Sequence, residues 1–164
     1  MCIRDRADSV WAVTEVDKKA ILEAIPSAKV NIISNVHQPE ISIFADNGKK
    51  TLLFFGSYKH EPNISAVKIL AQTIFPKVKA IFPNAQLIIA GANAPKEIIE
   101  LGQLSGVIYK GFIEEADLAN LYKDAFLVVA PLLAGAGIKG KICEAIAFRT
   151  PVITTPIGLS LIHI

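Results

Sequence analysis

A glycine-rich loop followed by a short helix is the part of this sequence with the clearest chemistry. The stretch GAGIKGKICEAIA, residues 135–147, holds glycines at the spacing G-x-G-x-x-G, with Lys139 and Lys141 flanking the last of them. Glycines permit positive φ and close approach of the backbone to a ligand. The predicted helix presents unpaired amides and the positive end of its dipole. A bound phosphate or diphosphate fits this pattern, and a surface turn with two solvated lysines fits it equally well.

The same glycine spacing occurs in dinucleotide-binding folds, but the surrounding residues argue against that function. A dinucleotide fingerprint places its first glycine directly at the end of a strand, whereas residues 131–134 separate the predicted strand from Gly135. The fingerprint also needs an acidic residue about 20 positions further on, to hold the ribose hydroxyls. No Asp or Glu occurs from Thr150 to the end of the chain. We therefore predict no dinucleotide site.

Glu144 is the carboxylate on the predicted helix. At about 100° per residue the apolar side chains form one stripe, and Glu144 points away from it. Its neighbours one turn away are Gly140 and Ala147, which are too small to fill the space beside it. A carboxylate in such a hollow can accept hydrogen bonds from sugar hydroxyls. An exposed glutamate loosely paired with Lys141 is an alternative that composition does not separate from this one.

Composition excludes several function classes. The 164-residue chain has a formal net charge of +2 and no lysine-arginine run, so we predict no nucleic-acid partner. Hydrophobic residues make up 52% of it, which is typical of a sheet buried on both faces. The longest uncharged apolar stretch, residues 126–138, contains proline and glycine and is shorter than the roughly 20 residues of a membrane span. Apart from Cys2 near the start, Cys143 is the only cysteine, and we expect a buried, inert thiol.

The two ends of the chain do not have the character of the rest. The first six residues, MCIRDR, and the last six, LSLIHI, can each be translated from DNA that is nearly the reverse complement of the other. The pair resembles the transposon end used to fragment DNA for sequencing libraries. We therefore interpret residues 1–6 and 159–164 as non-native and leave them out of fold reasoning. We expect residues 7–158 to be an internal piece of a longer protein.

Strands and helices alternate regularly after residue 50. A buried strand is predicted in TLLFFG, and further strands are predicted in AQLIIAG, GVIYKG, FLVVAP and PVITTP. Helices are predicted between them, and the first, in PNISAVKILAQTIFPKVKAIFP, is expected to break at Pro76. This alternation implies right-handed β-α-β units. The predicted fold class is α/β, a Rossmann-like parallel sheet with helices on both faces.

Ligands bind such sheets beyond the carboxyl ends of the strands, at the switch point of the strand order. Glycine turns follow three of the predicted strands, at Gly56-Ser57, Gly91 and Gly111. The loop over residues 135–140 follows a fourth strand. We expect these turns to form the walls of one cleft.

The earlier part of the chain predicts a separate unit. The segment DSVWAVTEVDKKAILEAIP indicates a strand, a turn and a helix, with Thr14 and Asp17 as a capping box, and a strand follows in AKVNIIS. We interpret residues 7–37 as the tail of a second Rossmann-like domain. The next stretch has no sustained period, so we place a linker over residues 38–50 and the main domain over residues 51–158.

The order of these segments resembles the C-terminal, donor-binding half of retaining GT-B glycosyltransferases of the glycosyl transferase group 1 type. FFGSYKHEPNISAVKILAQTIFP is similar to that family's opening strand, Gly-Ser turn and Pro-Asn helix start. FPNAQLIIAGA and VIYKGFIEEADLANLYKDA resemble its next two strands and a short helix. VVAPLLAGAGIKGKICEAIAFRTPVITTPIG matches its most specific region. The resemblance covers nearly all of residues 50–158 and implies that residues 7–37 end an acceptor-side domain.

By this resemblance the ligand is a nucleotide sugar. The expected donor-binding residues are Gly56, Ser57, Lys59, Phe112, Ile113, Gly137, Ile138, Lys139, Lys141 and Glu144. The Gly-Ser turn, the lysines and the amides at the start of the last helix would face the diphosphate. The two residues after Gly111 would lie near the nucleobase. Glu144 matches the second glutamate of the family's E-x7-E pair, which holds the ribose.

Two positions depart from the family pattern. Ala136 stands where the first glutamate of the pair is expected, a loss shared by a subgroup with a GxGxKxK loop, so the contact to the transferred sugar stays unassigned. Arg149 replaces the glycine that usually precedes xPV, and we expect an altered turn there. His60 is a weaker candidate for ligand contact, and His37 is expected to be a solvated loop residue.

The resemblance implies an enzyme that, as a complete protein, transfers a sugar with retention onto a glycan, lipid or small-molecule acceptor. Its catalytic residues are expected in the missing domain, so we expect this chain alone to be inactive. Negative charge builds on the departing nucleoside diphosphate, and helix-end amides and lysine would stabilise it. No cofactor or metal is implied.

A sugar-nucleotide epimerase and a catalytically inactive nucleotide-sugar-binding module stay open as alternatives. We expect a cytoplasmic protein, with peripheral membrane attachment as an open alternative.

Overall fold

The computed structural model describes residues 8–33, 48, 50–135 and 137–159. The chain divides into two compact units, Met1–His37 and Gln38–Ile164. The predicted linker and both predicted non-native ends lie outside the described residues, apart from Gly48, Lys50 and Leu159.

The first unit contains one β-α-β element. Strand β1 (Val10–Ala12) leads into helix α1 (Glu15–Ala24) and then into strand β2 (Val30–Ile32), which pairs parallel to β1. The helix begins with the predicted cap, because the Asp17 amide donates to Thr14 Oγ1 over 3.1 Å and that hydroxyl donates to Asp17 Oδ2 over 2.7 Å. The predicted order of elements and the capping box are both confirmed.

The second unit alternates strands and helices as predicted. Its strands are β3 (Thr51–Phe55), β4 (Gln86–Ala90), β5 (Val107–Gly111), β6 (Leu127–Ala130) and β7 (Val152–Thr154). Its α-helices are α2 (Glu61–Ile69), α3 (Phe75–Ile81), α4 (Lys96–Ile99), α5 (Glu115–Asp124), α6 (Gly140–Ala147) and α7 (Pro156–Leu159). A 3₁₀ turn, Glu100–Gln103, extends α4. The short helix α7 is an addition to the predicted elements.

The five strands in the described part of this unit form one parallel sheet in the order β5-β4-β3-β6-β7. Alternate side chains of β3 enter opposite cores. Leu52 and Phe54 pack with residues of α2, α3 and α4 on one face, and Leu53 packs with residues of α5 and α6 on the other. The chain leaves β3 toward β4 and β5 and then returns to the opposite side of β3 as β6. The switch point therefore lies between β3 and β6, and the predicted α/β class is confirmed.

The predicted helix break at Pro76 is wrong. A π-helical segment, Leu70–Ile74, joins α2 to α3, so the helical run continues from Glu61 to Ile81. The Phe75 amide donates to the Leu70 carbonyl, five residues back. Proline has no amide to donate and its ring crowds the preceding turn, and a widened turn accommodates both features without ending the helix.

Helix α6 ends in a turn that Arg149 completes in the left-handed region, with φ of 56°. The Arg149 amide donates to the Ile146 carbonyl over 2.9 Å, and the Thr150 amide donates to the Ala145 carbonyl over 2.8 Å. These bonds define a Schellman motif, in which glycine is usual because it has no β-carbon. The expectation of an altered turn is therefore wrong: the glycine-type conformation forms with an arginine in it.

Arg149→Gly should stabilise the chain by about 1 kcal/mol, because it removes the β-carbon that disfavours the left-handed conformation. The thermal midpoint should rise by roughly 2 to 4 °C in a calorimetric scan. Arg149→Ala is the matched control, since it removes the guanidinium and keeps the β-carbon. An equal gain from both variants would show that the side chain, and not the backbone conformation, is unfavourable here.

Candidate functional site

The glycine turns at the carboxyl ends of the strands lie side by side. The Gly56 amide donates to the Ala90 carbonyl over 3.2 Å, and the Gly91 amide donates to the Gly111 carbonyl over 2.7 Å. A β-carbon on Gly91 would lie 1.8 Å from the Gly56 carbonyl oxygen, so only glycine allows these turns to approach so closely. The turns after β3, β4 and β5 thus form one continuous edge.

Lys141, in the first turn of α6, reaches across the switch point to the turn after β3. Its Nζ donates to Asn63 Oδ1 over 2.5 Å and lies 4.5 Å from the centre of the Phe54 ring. Asn63 Nδ2 in turn donates to the Ser57 carbonyl over 2.7 Å. A β-carbon on Gly56 would come within 2.6 Å of Nζ, so the ammonium occupies the space that this glycine leaves. We call Gly56, Ser57, Asn63 and Lys141 the lysine bridge.

The lysine bridge is electrostatically suited to an anion. Burial lowers the pKa of Lys141 to about 8. The negative charge of Glu144 raises this pKa, and the positive charge of Lys139 lowers it by a smaller amount. A partly buried ammonium whose pKa is lowered favours an anion beside it, and such an anion would raise the pKa of the lysine again.

A cleft of about 430 Å³ opens beside the lysine bridge. Its described lining residues are His60, Pro62, Asn63, Leu132, Ala134, Gly135, Ile138, Lys139, Gly140 and Lys141. The ammonium of Lys139 donates to the Gly137 carbonyl over 2.6 Å, and burial lowers its pKa. The predicted residues Ile138, Lys139 and Lys141 therefore do share one cleft, together with His60.

Glu144 lies one turn after Gly140 on the same side of α6. It is half-buried, and its Oε2 accepts a hydrogen bond of 2.9 Å from the Tyr122 hydroxyl. A β-carbon on Gly140 would lie 3.8 Å from Glu144 Oε1, which places that oxygen beside a residue of the cleft wall. This geometry differs from an exposed glutamate loosely paired with Lys141.

The remaining predicted residues lie further from this cleft. Phe112 and Ile113 follow β5, two strands away from β3; Phe112 is 68% exposed, and Ile113 packs partly buried against the core on the α5 and α6 side. Lys59 is exposed, and its amide lies 3.4 Å from Ser57 Oγ. None of these three is among the described residues that line the cleft. Ala136 lies outside the described residues.

Asn63 and Tyr122 are site residues that the sequence reasoning missed. Asn63 belongs to the Pro-Asn helix start, which the sequence shows without indicating its partner.

Within the described ranges, no group of three or more His, Cys, Asp or Glu residues is placed to hold a metal ion. In the same part of the chain, no helix has both the length and the apolar character to cross a membrane.

Comparison with known proteins places this arrangement in a family. The family described as "Glycosyl transferases group 1" matches residues 49–163. A phosphatidyl-myo-inositol mannosyltransferase of Mycolicibacterium smegmatis is 29% identical over 154 residues, which are 88% of this chain and 38% of that protein. An uncharacterized glycosyltransferase of Methanocaldococcus jannaschii is 30% identical over 123 residues, 71% of this chain and 30% of that protein. The chain thus spans well under half of these relatives.

Solved structures share the fold. TarM of S. aureus, in a complex that includes UDP, aligns with a TM-score of 0.72 and 18% identity over 94% of this chain and 31% of that chain. HepE of Anabaena, in complex with UDP and glucose, aligns with a TM-score of 0.60 and 19% identity over 93% of this chain and 45% of that chain. The family match covers more than half of the sequence and includes the whole described sheet of the second unit. The chain belongs to the group 1 glycosyl transferases.

Proposed function

We propose that this chain is the donor-binding part of a retaining glycosyltransferase that uses a nucleotide sugar. The diphosphate of the donor lies in the cleft between the turn after β3 and the start of α6, and the ribose lies at Glu144. The observation that carries the proposal is the partly buried ammonium of Lys141, which reaches across the switch point and lies 2.5 Å from Asn63 Oδ1. The UDP named for the TarM and HepE structures supports a nucleotide ligand for this fold.

The proposed chemistry is charge stabilisation. Cleavage of the bond between the sugar and the diphosphate leaves negative charge on the departing phosphate. The Lys141 ammonium and the positive end of the α6 dipole are held at the place where that charge develops, so little reorganisation is needed during the reaction. Gly137, with φ of 75°, has a backbone conformation in the left-handed region, which glycine adopts without strain.

The acceptor and the cellular location are further parts of the proposal. The relatives named phosphatidyl-myo-inositol mannosyltransferases make a lipid one candidate acceptor, beside a glycan or a small molecule. The acceptor would bind to the other domain of the complete protein. We propose that the complete protein acts in the cytoplasm.

Lys141→Ala should weaken the binding of a nucleoside diphosphate to the full chain by about tenfold to a hundredfold, the value of a hydrogen bond to a charged group. Binding of the matching nucleoside should change little, because it has no phosphate. Calorimetric titration with UDP, GDP and ADP and their nucleosides measures both effects. Lys77→Ala removes an exposed lysine on α3 and controls for net charge. Equal losses for diphosphate and nucleoside would contradict a phosphate role for Lys141.

Gly56→Ala should reproduce the Lys141→Ala defect without removing any charge. The new methyl group would lie only 2.6 Å from Nζ and would displace the end of a flexible side chain. The double variant should bind the diphosphate no more weakly than Lys141→Ala alone, since both changes remove the same contact. Additive losses in the same titration would show that Gly56 and Lys141 act independently.

Diphosphate binding should weaken as the pH rises above the pKa of Lys141, about 8 in the free chain. The protonated lysine binds the anion, so raising the pH from about 7.5 to about 9.5 should lower the affinity by about tenfold through loss of one proton. Lys141→Arg stays charged throughout this range and should give a flat profile. A native chain whose affinity does not change with pH would place the phosphates away from Lys141.

A further inference from the structure

Tyr122, on α5, is a fully buried tyrosine with its ring held between two other aromatic rings. Its exposed fraction is 0%. The ring stacks on Phe148 with centroids 5.1 Å apart at an angle of 16°, and it meets Phe55 edge-on at 6.2 Å and 73°. The Thr150 hydroxyl also donates to the Tyr122 carbonyl over 2.9 Å. Ring and backbone are therefore fixed by packing before any ligand arrives.

The hydroxyl of this fixed ring points at α6. It lies 2.9 Å from Glu144 Oε2 and 3.3 Å from the Lys141 carbonyl. The carboxylate is the closer acceptor, and hydrogen bonds to ionised acceptors are the stronger ones. Burial, and then the neighbouring charge of Glu144, raises the pKa of Tyr122, so the phenol keeps the proton that it donates.

Because of this hydrogen bond, the two carboxylate oxygens of Glu144 have different surroundings. Oε2 is held by a rigid donor in the core, which fixes the rotation of the Glu144 side chain. Oε1 then lies beside Gly140, a residue of the cleft wall that has no side chain to cover it. An acceptor whose direction is already set loses less entropy when it binds a ligand hydroxyl.

We propose that Tyr122 is a positioning residue for the donor: it holds Glu144 so that Oε1 accepts a hydrogen bond from a ribose hydroxyl of the nucleotide sugar. This inference rests on the proposed function, because it takes the pentose of a nucleotide as the group at Glu144. Its consequence is selectivity. The site distinguishes a ribonucleotide from a dideoxyribonucleotide through an oriented carboxylate, and the orientation comes from a residue that does not touch the ligand.

The test compares two ligands that differ only in the ribose hydroxyls. The full chain is titrated with UDP, or with GDP or ADP if that binds more tightly, and with the corresponding 2′,3′-dideoxynucleoside diphosphate. The readout is the ratio of the two affinities. Both ligands carry the same diphosphate, so an effect of a substitution on phosphate binding does not change this ratio. We expect the native chain to prefer the ribonucleotide by about tenfold or more. Tyr122→Phe keeps the stacked ring and should reduce the preference to about threefold, and Glu144→Gln should nearly abolish it.

Tyr58→Phe is the matched control. Tyr58 is also buried, and its hydroxyl donates to the Ala90 carbonyl over 3.3 Å, so the same atom is removed at a distance from Glu144. The thermal midpoint is measured for both tyrosine variants, and the ribose preference of Tyr58→Phe should equal that of the native chain. Thr150→Val, which removes the hydroxyl bonded to the Tyr122 backbone, should also keep the preference while lowering stability.

The titration separates the positioning role of Tyr122 from the proposed binding of the ribose at Glu144. If Tyr122→Phe keeps the full native preference while Glu144→Gln loses it, the positioning role is overturned and the proposed function survives. If the native chain itself binds both ligands equally, or binds neither, the proposed place of the ribose fails and the inference fails with it. A loss of preference in Tyr122→Phe that Tyr58→Phe and Thr150→Val do not share supports the positioning role.

Discussion

The partial burial of one ammonium at the switch point is the constraint on which the rest of the site depends. Lys141 extends from α6 to the turn after β3, where its ammonium is partly removed from water. The chain compensates with the Asn63 amide oxygen and the face of Phe54, and it leaves Gly56 without a side chain. The compensation is incomplete, since the pKa of the lysine stays below its ordinary value. An anionic ligand would supply the missing stabilisation of the charged lysine.

Helix α6 combines this cation with a carboxylate. Lys141 and Glu144 are three residues apart and so lie on neighbouring parts of one helical face. The lysine is held by the loop and helix start after β3, whereas the glutamate is held by Tyr122 of α5. The helix is thus anchored on both sides of its polar face by parts of the chain that belong to opposite faces of the sheet. A ligand at the helix start would meet positive charge and, one turn on, an oriented hydrogen-bond acceptor.

The sequence predicts the local parts of this arrangement and misses the long-range ones. The strands, the parallel sheet and the position of Lys141 and Glu144 on α6 follow from hydrophobic period and turn residues within short windows. The partners of these side chains do not, because Asn63 and Lys141 are 78 residues apart and Tyr122 and Glu144 are 22 residues apart. Two backbone expectations fail for a different reason, because both depend on local hydrogen bonds that the residue types do not reveal. A π-helical turn accommodates Pro76, and hydrogen bonds at the end of α6 hold Arg149 in a conformation that glycine usually takes.

A crystal structure of the full chain with a bound nucleoside diphosphate would test the central claim most directly. We expect a phosphate oxygen within hydrogen-bonding distance of Lys141 Nζ, beside the Gly56 turn, and the pentose next to Glu144. A nucleotide bound elsewhere on the sheet edge, with the lysine still joined to Asn63 and no phosphate beside it, would contradict the account.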